Sequence, residues 1–332
     1  MRYALLVSPA ANRVYAAAAV GLTVAELGVA ALGPLAASGV AAERIAGVPY
    51  VTFEAEEPDL ATLGLLSSAQ ALFEVHGDLL RPVGLPRPDV LDEDLTTIPK
   101  YPGKTNEQFT RLLLNVTLLS STRPSSPRRR QLRVLDPLCG RGTTLNQALV
   151  YGFDAAGIDA DGRDLAAYAA FLRTWLQRKR LKHRIEFTPV KENRRVIARR
   201  LHATVADPPV ELTAYAADTV AGMRFFGPDS VDLVVADAPY GVQHGSRAGG
   251  RLARGPVDLL ADAVPAWTRA LRPGGAMGIA WNANVADRAS LERILAGAGL
   301  TVLDAEPYHG FRHRVDQSIL RDLVVATRPD PP

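Results

Sequence analysis

A chain of 332 residues, 47% hydrophobic and 22% charged, has material for about two domains and a full core. Its single cysteine, Cys139, excludes an intramolecular disulfide framework and fits a reducing compartment; no Cys/His cluster has metal-site spacing, so no metal is expected. The formal net charge is only +3, but residues 178–202 hold ten Lys/Arg against two Glu, leaving +8 there and −5 on the remainder. Such a segment reads either as a solvated face or as the footprint of a nucleic acid.

Tyr3 to Val7 reads as a strand and residues 14–31 as an alanine-rich helix. The nearly uncharged stretch 14–41 is rich in alanine and glycine and is interrupted by Glu26 and Pro34, which fits neither a membrane span nor a signal peptide. A cytoplasmic protein without a membrane partner is expected. Tyr50 to Phe53 predicts a second strand. Residues 58–75, with Leu60, Leu63, Leu66 and Leu72, predict a second helix. This β-α-β-α order suggests a small α+β module over 1–95, closed by a connector stiffened at Pro82, Pro86 and Pro88. The second unit, 96–332, opens with a helix over the 99–121 segment, capped by Thr105 or Asn106, with Phe109, Leu112, Leu113, Val116 and Leu119 on its apolar face. The segment 121–131, STRPSSPRRRQ, reads as a basic linker.

Residues 131–146, QLRVLDPLCGRGTTLN, organise the rest. Leu132, Val134 and Leu135 form a strand, Asp136-Pro137 closes it, Gly140 and Gly142 make a tight turn, and Thr143 opens a helix. Strand, glycine turn and helix place a cofactor at the carboxyl edge of an open α/β sheet. The turn lacks Gly-Lys-Ser/Thr, and leucine stands where a dinucleotide fingerprint has its third glycine, so neither a nucleotide triphosphate nor a dinucleotide is favoured. Further strands are predicted at 155–158, ending at Asp159; at 211–216, ending before Asp218; and at 231–236, delivering Asp237-Ala238-Pro239-Tyr240. Helices are predicted at 163–177, at 190–202 within the basic segment, at 257–271 and at 287–297. Strands at 276–281, 300–305 and 319–327 close the chain, with the loop HGFRHR at 309–314. Alternating strands and helices imply a doubly wound, mostly parallel sheet. The last two strands, with no helix between them, add an antiparallel strand at its edge.

Asp136 to Thr144, DPLCGRGTT, together with Asp237 to Tyr240, DAPY, resembles the two signature motifs of the S-adenosylmethionine-dependent amino-methyltransferases, which act on exocyclic amines of nucleobases. The stretch KYPGKTNEQF at 100–109 is similar to a further element that these enzymes pack against the cofactor. Within that group the chain resembles most the tRNA guanosine-N2 methyltransferases of THUMP-associated type. Their RNA-binding region precedes the catalytic domain, as the module at 1–95 does in order and size. The resemblance implies a Rossmann-like methyltransferase fold, S-adenosylmethionine as cofactor and RNA, above all tRNA, as partner. Thr105, Asp136, Pro137, Cys139, Gly140, Gly142 and Thr143 would line the cofactor, and Pro239 with Tyr240 would frame the base.

The residues make chemical sense on their own. A glycine turn lets the backbone approach the amino-acid end of the cofactor, whose carboxylate suits a helix N-terminus at Thr143. Asp159, ending the second strand, can take ribose hydroxyls, and Asp218 can reach an adenine amine; for both, a loop-capping role is the alternative. Asp237 can accept an N–H of an aryl amine and stabilise the positive charge that develops on it, while Tyr240 stacks on a base held out of its helix. Ala238 replaces a usual proline and Arg141 a usual small residue. Arg194, Arg195, Arg312 and His313 are candidate substrate contacts, with Arg123 and Arg128 to Arg130 nearby in sequence. The alternatives are a DNA adenine-N6 or cytosine-N4 methyltransferase, a small-molecule or peptide N-methyltransferase, and an RNA-binding protein that keeps the fold without turnover.

Overall fold

The computed structural model describes residues 1–10, 12–122, 132–206, 208–239 and 255–330. The first unit is a five-stranded antiparallel sheet, ordered β2-β3-β1-β4-β5, from β1 (Arg2–Val7), β2 (Ser38–Ile45), β3 (Val48–Glu54), β4 (Ala69–His76) and β5 (Leu79–Val83). It is joined by α1 (Arg13–Ala31), which Asn12 caps by accepting from the amides of Val14 and Tyr15, and by the short α2 (Leu60–Leu65). The helix predicted over 58–75 is therefore only a third there. Leu60 and Leu63 stay helical, but Ser67 donates its amide and hydroxyl to the buried Glu26, and the chain leaves as strand β4 carrying Leu72.

Helix α1 is long and apolar enough to cross a membrane, and half of that stretch is buried inside the fold. Glu26 explains how a carboxylate sits there. Its oxygens accept from Ser67 N (3.0 Å), Ser67 Oγ (2.6 Å) and Asn115 Nδ2 (2.8 Å), while burial pushes its pKa upward. Glu26→Ala is expected to cost ~2–4 kcal/mol of stability in urea unfolding, because it strands three buried donors; Glu26→Gln should cost less.

After α3 (Asp94–Thr97), α4 (Glu107–Ser120) packs between the two units, capped by Asn106, whose side chain accepts from Phe109 N at 3.0 Å. The larger sheet follows: β6 (Arg133–Asp136), α5 (Thr143–Val150), β7 (Asp154–Asp159), α6 (Gly162–Arg178), β8 (His183–Glu192), β9 (Arg195–Val205), β10 (Val210–Ala216), α7 (Thr219–Gly222), β11 (Val231–Asp237), α8 (Pro256–Ala270), β12 (Leu271–Asn282), α9 (Arg288–Gly297), β13 (Thr301–Val302), β14 (His313–Arg314) and β15 (Leu320–Thr327). Among the described residues it has ten strands, ordered β13-β15-β12-β11-β6-β7-β10-β9-β8 with β14 beside β15.

The five strands from β12 to β10 are parallel, and β11 lies on one side of β6 while β7 lies on the other. Alternate residues feed opposite cores. Val134, Leu233 and Val235 join α1, α4, α5 and α6, whereas Leu135, Val234 and Ala236 join α8 and α9. That two-sided burial is the doubly wound sheet that the alternating pattern predicted. The first core also includes Leu5, Leu22 and Phe53, so the N-terminal sheet and its helix share it. At Gly278 a Cβ would lie 2.0 Å from Thr117 Oγ1, so α4 rests directly on β12 backbone.

Two predictions about the sheet need correction. The antiparallel strand near the chain end, β15, is not at the edge; it lies between β12 and the two-residue β13. The segment 190–202 is not helical either. It belongs to the hairpin β8–β9, where Asn193 and Arg194 turn with φ +47° and +65°. The alternating burial of Leu201, Ala203 and Val205 continues past the predicted window.

Candidate active site

Open α/β sheets bind ligands where strand order reverses, at the carboxyl ends of the strands. Here that point lies between β6 and β11, and their last residues are Asp136 and Asp237. Beyond β6 the chain turns tightly: Gly142 N donates to Cys139 O at 2.7 Å, with Gly140 at φ +49° and Gly142 at φ +81°. Gly142 is the residue from which α5 starts, and a Cβ there would lie 2.5 Å from the ring of the buried Tyr168.

Asp159 ends β7 and folds back over this turn, its carboxylate accepting from Gly140 N at 2.9 Å and Asp161 N at 2.8 Å. Burial raises its pKa. Asp136 is more deeply set; it accepts from Leu138 N at 3.0 Å, and burial pushes its pKa up to about 7, with Asp237 and Asp159 adding in the same direction. Since folding holds this carboxyl above its unfolded value, the associated stability is full below about pH 4 and is lost as pH rises through about 7. Asp136→Asn is therefore expected to gain on the wild type between pH 5 and pH 8. Thermal unfolding of both proteins at the two pH values checks this.

Asp237 is half-buried. Thr105 Oγ1 donates to its Oδ2 at 2.5 Å, and Arg321 Nη2 from β15 stands 3.7 Å from the same oxygen. Arg321 is buried, its guanidinium 4.3 Å from the centre of the Phe109 ring of α4. Ala238 N donates to Ala280 O at 2.8 Å, so the strand end is fastened to β12 although alanine replaces the usual proline. Pro239 is half-buried beside it, and Tyr240 lies outside the described residues.

The structure thus brings Thr105, Asp136, Pro137, Cys139, Gly140, Gly142, Thr143, Asp159, Asp237 and Pro239 to one end of the sheet, with duties that differ in part from those expected. Thr105 leaves the helix cap to Asn106 and turns to Asp237. The Pro137 carbonyl accepts from Thr219 Oγ1 at 2.7 Å. Cys139 is buried against Gly157, where a Cβ would meet its Sγ at 2.9 Å, and burial pushes the thiol pKa up, which suits packing rather than nucleophilic attack. Asp218 takes the capping role, accepting from Val220 N and Ala221 N at 3.0 Å each to start α7. Thr143 shares a hydrogen bond of 2.8 Å with Tyr101 OH. Arg141 pairs with Asp164 at 2.8 Å and lies over the Tyr101 ring at 5.1 Å.

Of the expected substrate contacts, Arg194, Arg195 and Arg312 are exposed, but His313 is not. It is buried between Tyr15 and Phe109, one ring nitrogen 2.8 Å from Phe311 O, and burial lowers its pKa. His313 belongs to the support beneath Asp237, not to an outer surface. Two members of the site escaped sequence reasoning. Tyr101 sits in the KYPGK stretch and could have been flagged there. Arg321 is 84 positions from Asp237 and meets it only because β15 returns beside β12.

The carboxylates of Asp136, Asp159 and Asp237 gather at this rim, and the last two each raise the cost of ionising Asp136. Such a set of acceptors suits a ligand bearing positive charge, and the turn presents no Lys for a phosphate. S-adenosylmethionine, with a sulfonium and an ammonium, meets that description.

No family model matches the chain, and no curated protein matches it in sequence. Among solved structures it is similar to a TehB-like SAM-dependent methyltransferase from Corynebacterium glutamicum, at 16% identity over 59% of this chain and 80% of that one, with TM-score 0.34. It is also similar to the 1,6-didemethyltoxoflavin-N1-methyltransferase of Burkholderia thailandensis (15% identity, 60% and 72% covered, TM-score 0.36). A third is geranyl diphosphate methyltransferase (14% identity, 67% and 79% covered, TM-score 0.39).

Proposed function

We propose that this chain is an S-adenosylmethionine-dependent N-methyltransferase acting on an exocyclic amine of a nucleobase in RNA, with guanine N2 in tRNA as the favoured target. One observation carries the reading: the DAPY carboxylate, Asp237, ends the strand adjacent to the one that enters the DPLCGRG turn, so amine acceptor and cofactor turn share one rim. Asp136, Asp159 and the Gly140–Gly142 turn would hold the cofactor, which supplies an electrophilic methyl group when bound. An aryl amine is a poor nucleophile because its lone pair is delocalised into the ring. Asp237 accepts its N–H, orients the nitrogen, stabilises the charge that develops there as the methyl leaves sulfur for nitrogen, and takes the proton that the nitrogen then loses. Thr105 and Arg321 fix the carboxylate from the other side, and Tyr240 would stack on the base. The units 1–95 and 96–332 would then be an RNA-binding module and a catalytic domain of a cytoplasmic enzyme.

The test uses purified protein, labelled S-adenosylmethionine and separate pools of tRNA, ribosomal RNA and DNA, each digested to nucleosides and analysed by mass. Label in N2-methylguanosine from tRNA is expected. Label in DNA alone, or in no polymer despite measurable cofactor binding, overturns the RNA assignment.

A further inference from the structure

The basic segment acquires a new meaning from where its hairpin stands. In β9, Arg199 pairs with Ala216 of β10, and Ala216 pairs in turn with Asp159 of β7. That row is the carboxyl rim. Because β9 runs antiparallel to β10, every residue before Arg199 lies beyond the rim, as do those that follow its partner Pro189 in β8. The four residues from Arg195 to Ala198 carry the arm ~13 Å past the strand ends, at ~3.3 Å per residue. Near its tip, Glu192 accepts from Arg224 Nη2 at 2.7 Å, which braces the arm against the turn 223–225 that follows α7.

The charges of the arm are unevenly used. Both its glutamates are neutralised, Glu186 by Arg184 at 2.7 Å and Glu192 by Arg224. Arg199 lies over the Phe187 ring at 5.3 Å. Lys191, Arg194 and Arg195 beyond the rim, and Arg200 just inside it, are exposed and make no side-chain hydrogen bond or ion pair among the described residues. Outside 178–202 the chain carries −5, so the positive charge that a polyanion would seek is concentrated in this segment.

We propose that the tip of β8–β9 is an arm that grips the phosphate backbone of the RNA and lays it across the carboxyl rim; this rests on the reading of the rim as an RNA methyltransferase site. Phosphate contacts position a nucleic acid without reading its sequence. The arm therefore sets affinity and KM, while the rim sets the chemistry.

The test compares the full-length protein with a variant in which Lys191, Arg194, Arg195 and Arg200 are all changed to Gln. Binding of labelled tRNA is followed by anisotropy across a KCl series, alongside cofactor calorimetry and methyl-transfer kinetics. Each phosphate contact contributes ~0.7–0.9 to the salt slope, so the slope is expected to fall by about 3. KM for RNA should rise at least tenfold, with kcat at saturating RNA within about twofold and cofactor affinity unchanged. The Lys replacement of the three arginines should retain most of the slope. If the quadruple variant no longer binds cofactor, Arg194→Gln and Arg195→Gln, in and beside the exposed turn, serve instead, each lowering the slope by ~0.7–0.9.

Unchanged RNA affinity and salt slope overturn the arm. So does a preference for polyglutamate over RNA with the same dependence on these residues, which would make the partner an acidic protein. Arm-dependent tRNA binding without methyl transfer to any pool overturns the enzymatic reading and leaves the arm standing. Methyl transfer with a KM indifferent to the substitutions does the reverse.

Discussion

Asp237→Ala is expected to cut methyl transfer by about 10³-fold while leaving cofactor affinity within about threefold. The side chain ends β11 at the switch point, and its Oδ2 is approached by Thr105 at 2.5 Å and Arg321 at 3.7 Å. Those partners hold the carboxylate in place before any substrate arrives, so little reorganisation accompanies binding of the amine. Removing it leaves a nitrogen with a delocalised lone pair and nothing to orient it or to balance its growing charge. Asp237→Asn retains an acceptor oxygen but not the charge, and should fall between the two proteins. Thr105→Val removes only one of the restraints and should cost about tenfold or less. Single-turnover rates with saturating RNA, beside calorimetry with the cofactor alone, separate the chemical step from binding. An Asp237→Ala protein that turns over within tenfold of wild type would remove this residue from the mechanism.

Gly142→Ala should do the largest damage to the cofactor turn. The residue sits at φ +81°, where a β-carbon is strained, and that carbon would lie 2.5 Å from the Tyr168 ring. Tyr168 cannot retreat easily, because it is buried and its hydroxyl donates to Asn146 Oδ1 at 2.9 Å. Left-handed strain and overpacking together suggest a loss of ~2–5 kcal/mol, with cofactor affinity falling more than tenfold as the turn opens. Gly140→Ala is the informative control. Its φ is +49° and a Cβ there meets nothing within 4 Å, so stability should drop by only ~1–2 kcal/mol. Thermal melts and cofactor titrations of both variants check the contrast; equal destabilisation would mean that the Tyr168 contact is not what confines Gly142.

Short-range patterns carried much of this protein. Val134 and Leu135 before Asp136-Pro137, two glycines and a helix starting at Thr143 needed only local sterics, and the structure has each in place. The helices predicted at 163–177 and 287–297 also form, as α6 and α9, each capped by an aspartate side chain, Asp161 and Asp287. Alternating strands and helices implied a doubly wound sheet because each strand buries both faces. The failures have a common cause. Residues 190–202 show apolar side chains at both helical and alternating intervals, and only the free edge of β10, which offered hydrogen bonds to β9, settled the choice as strand. Residues 67–76 were likewise decided at a distance, by Glu26 drawing Ser67 out of helix.

The chain by itself therefore determined the strand, turn and helix from Leu132 to Asn146 and the residue types at the ends of β6, β7 and β11, because turn geometry and binary pattern act within a few residues. Tertiary structure alone decided which groups meet there. It set Arg321 and Thr105 on Asp237, withdrew His313 into the core and swung the basic hairpin past the rim. Those outcomes depend on strand order, and strand order is fixed by burial summed over the whole sheet rather than by any window of sequence.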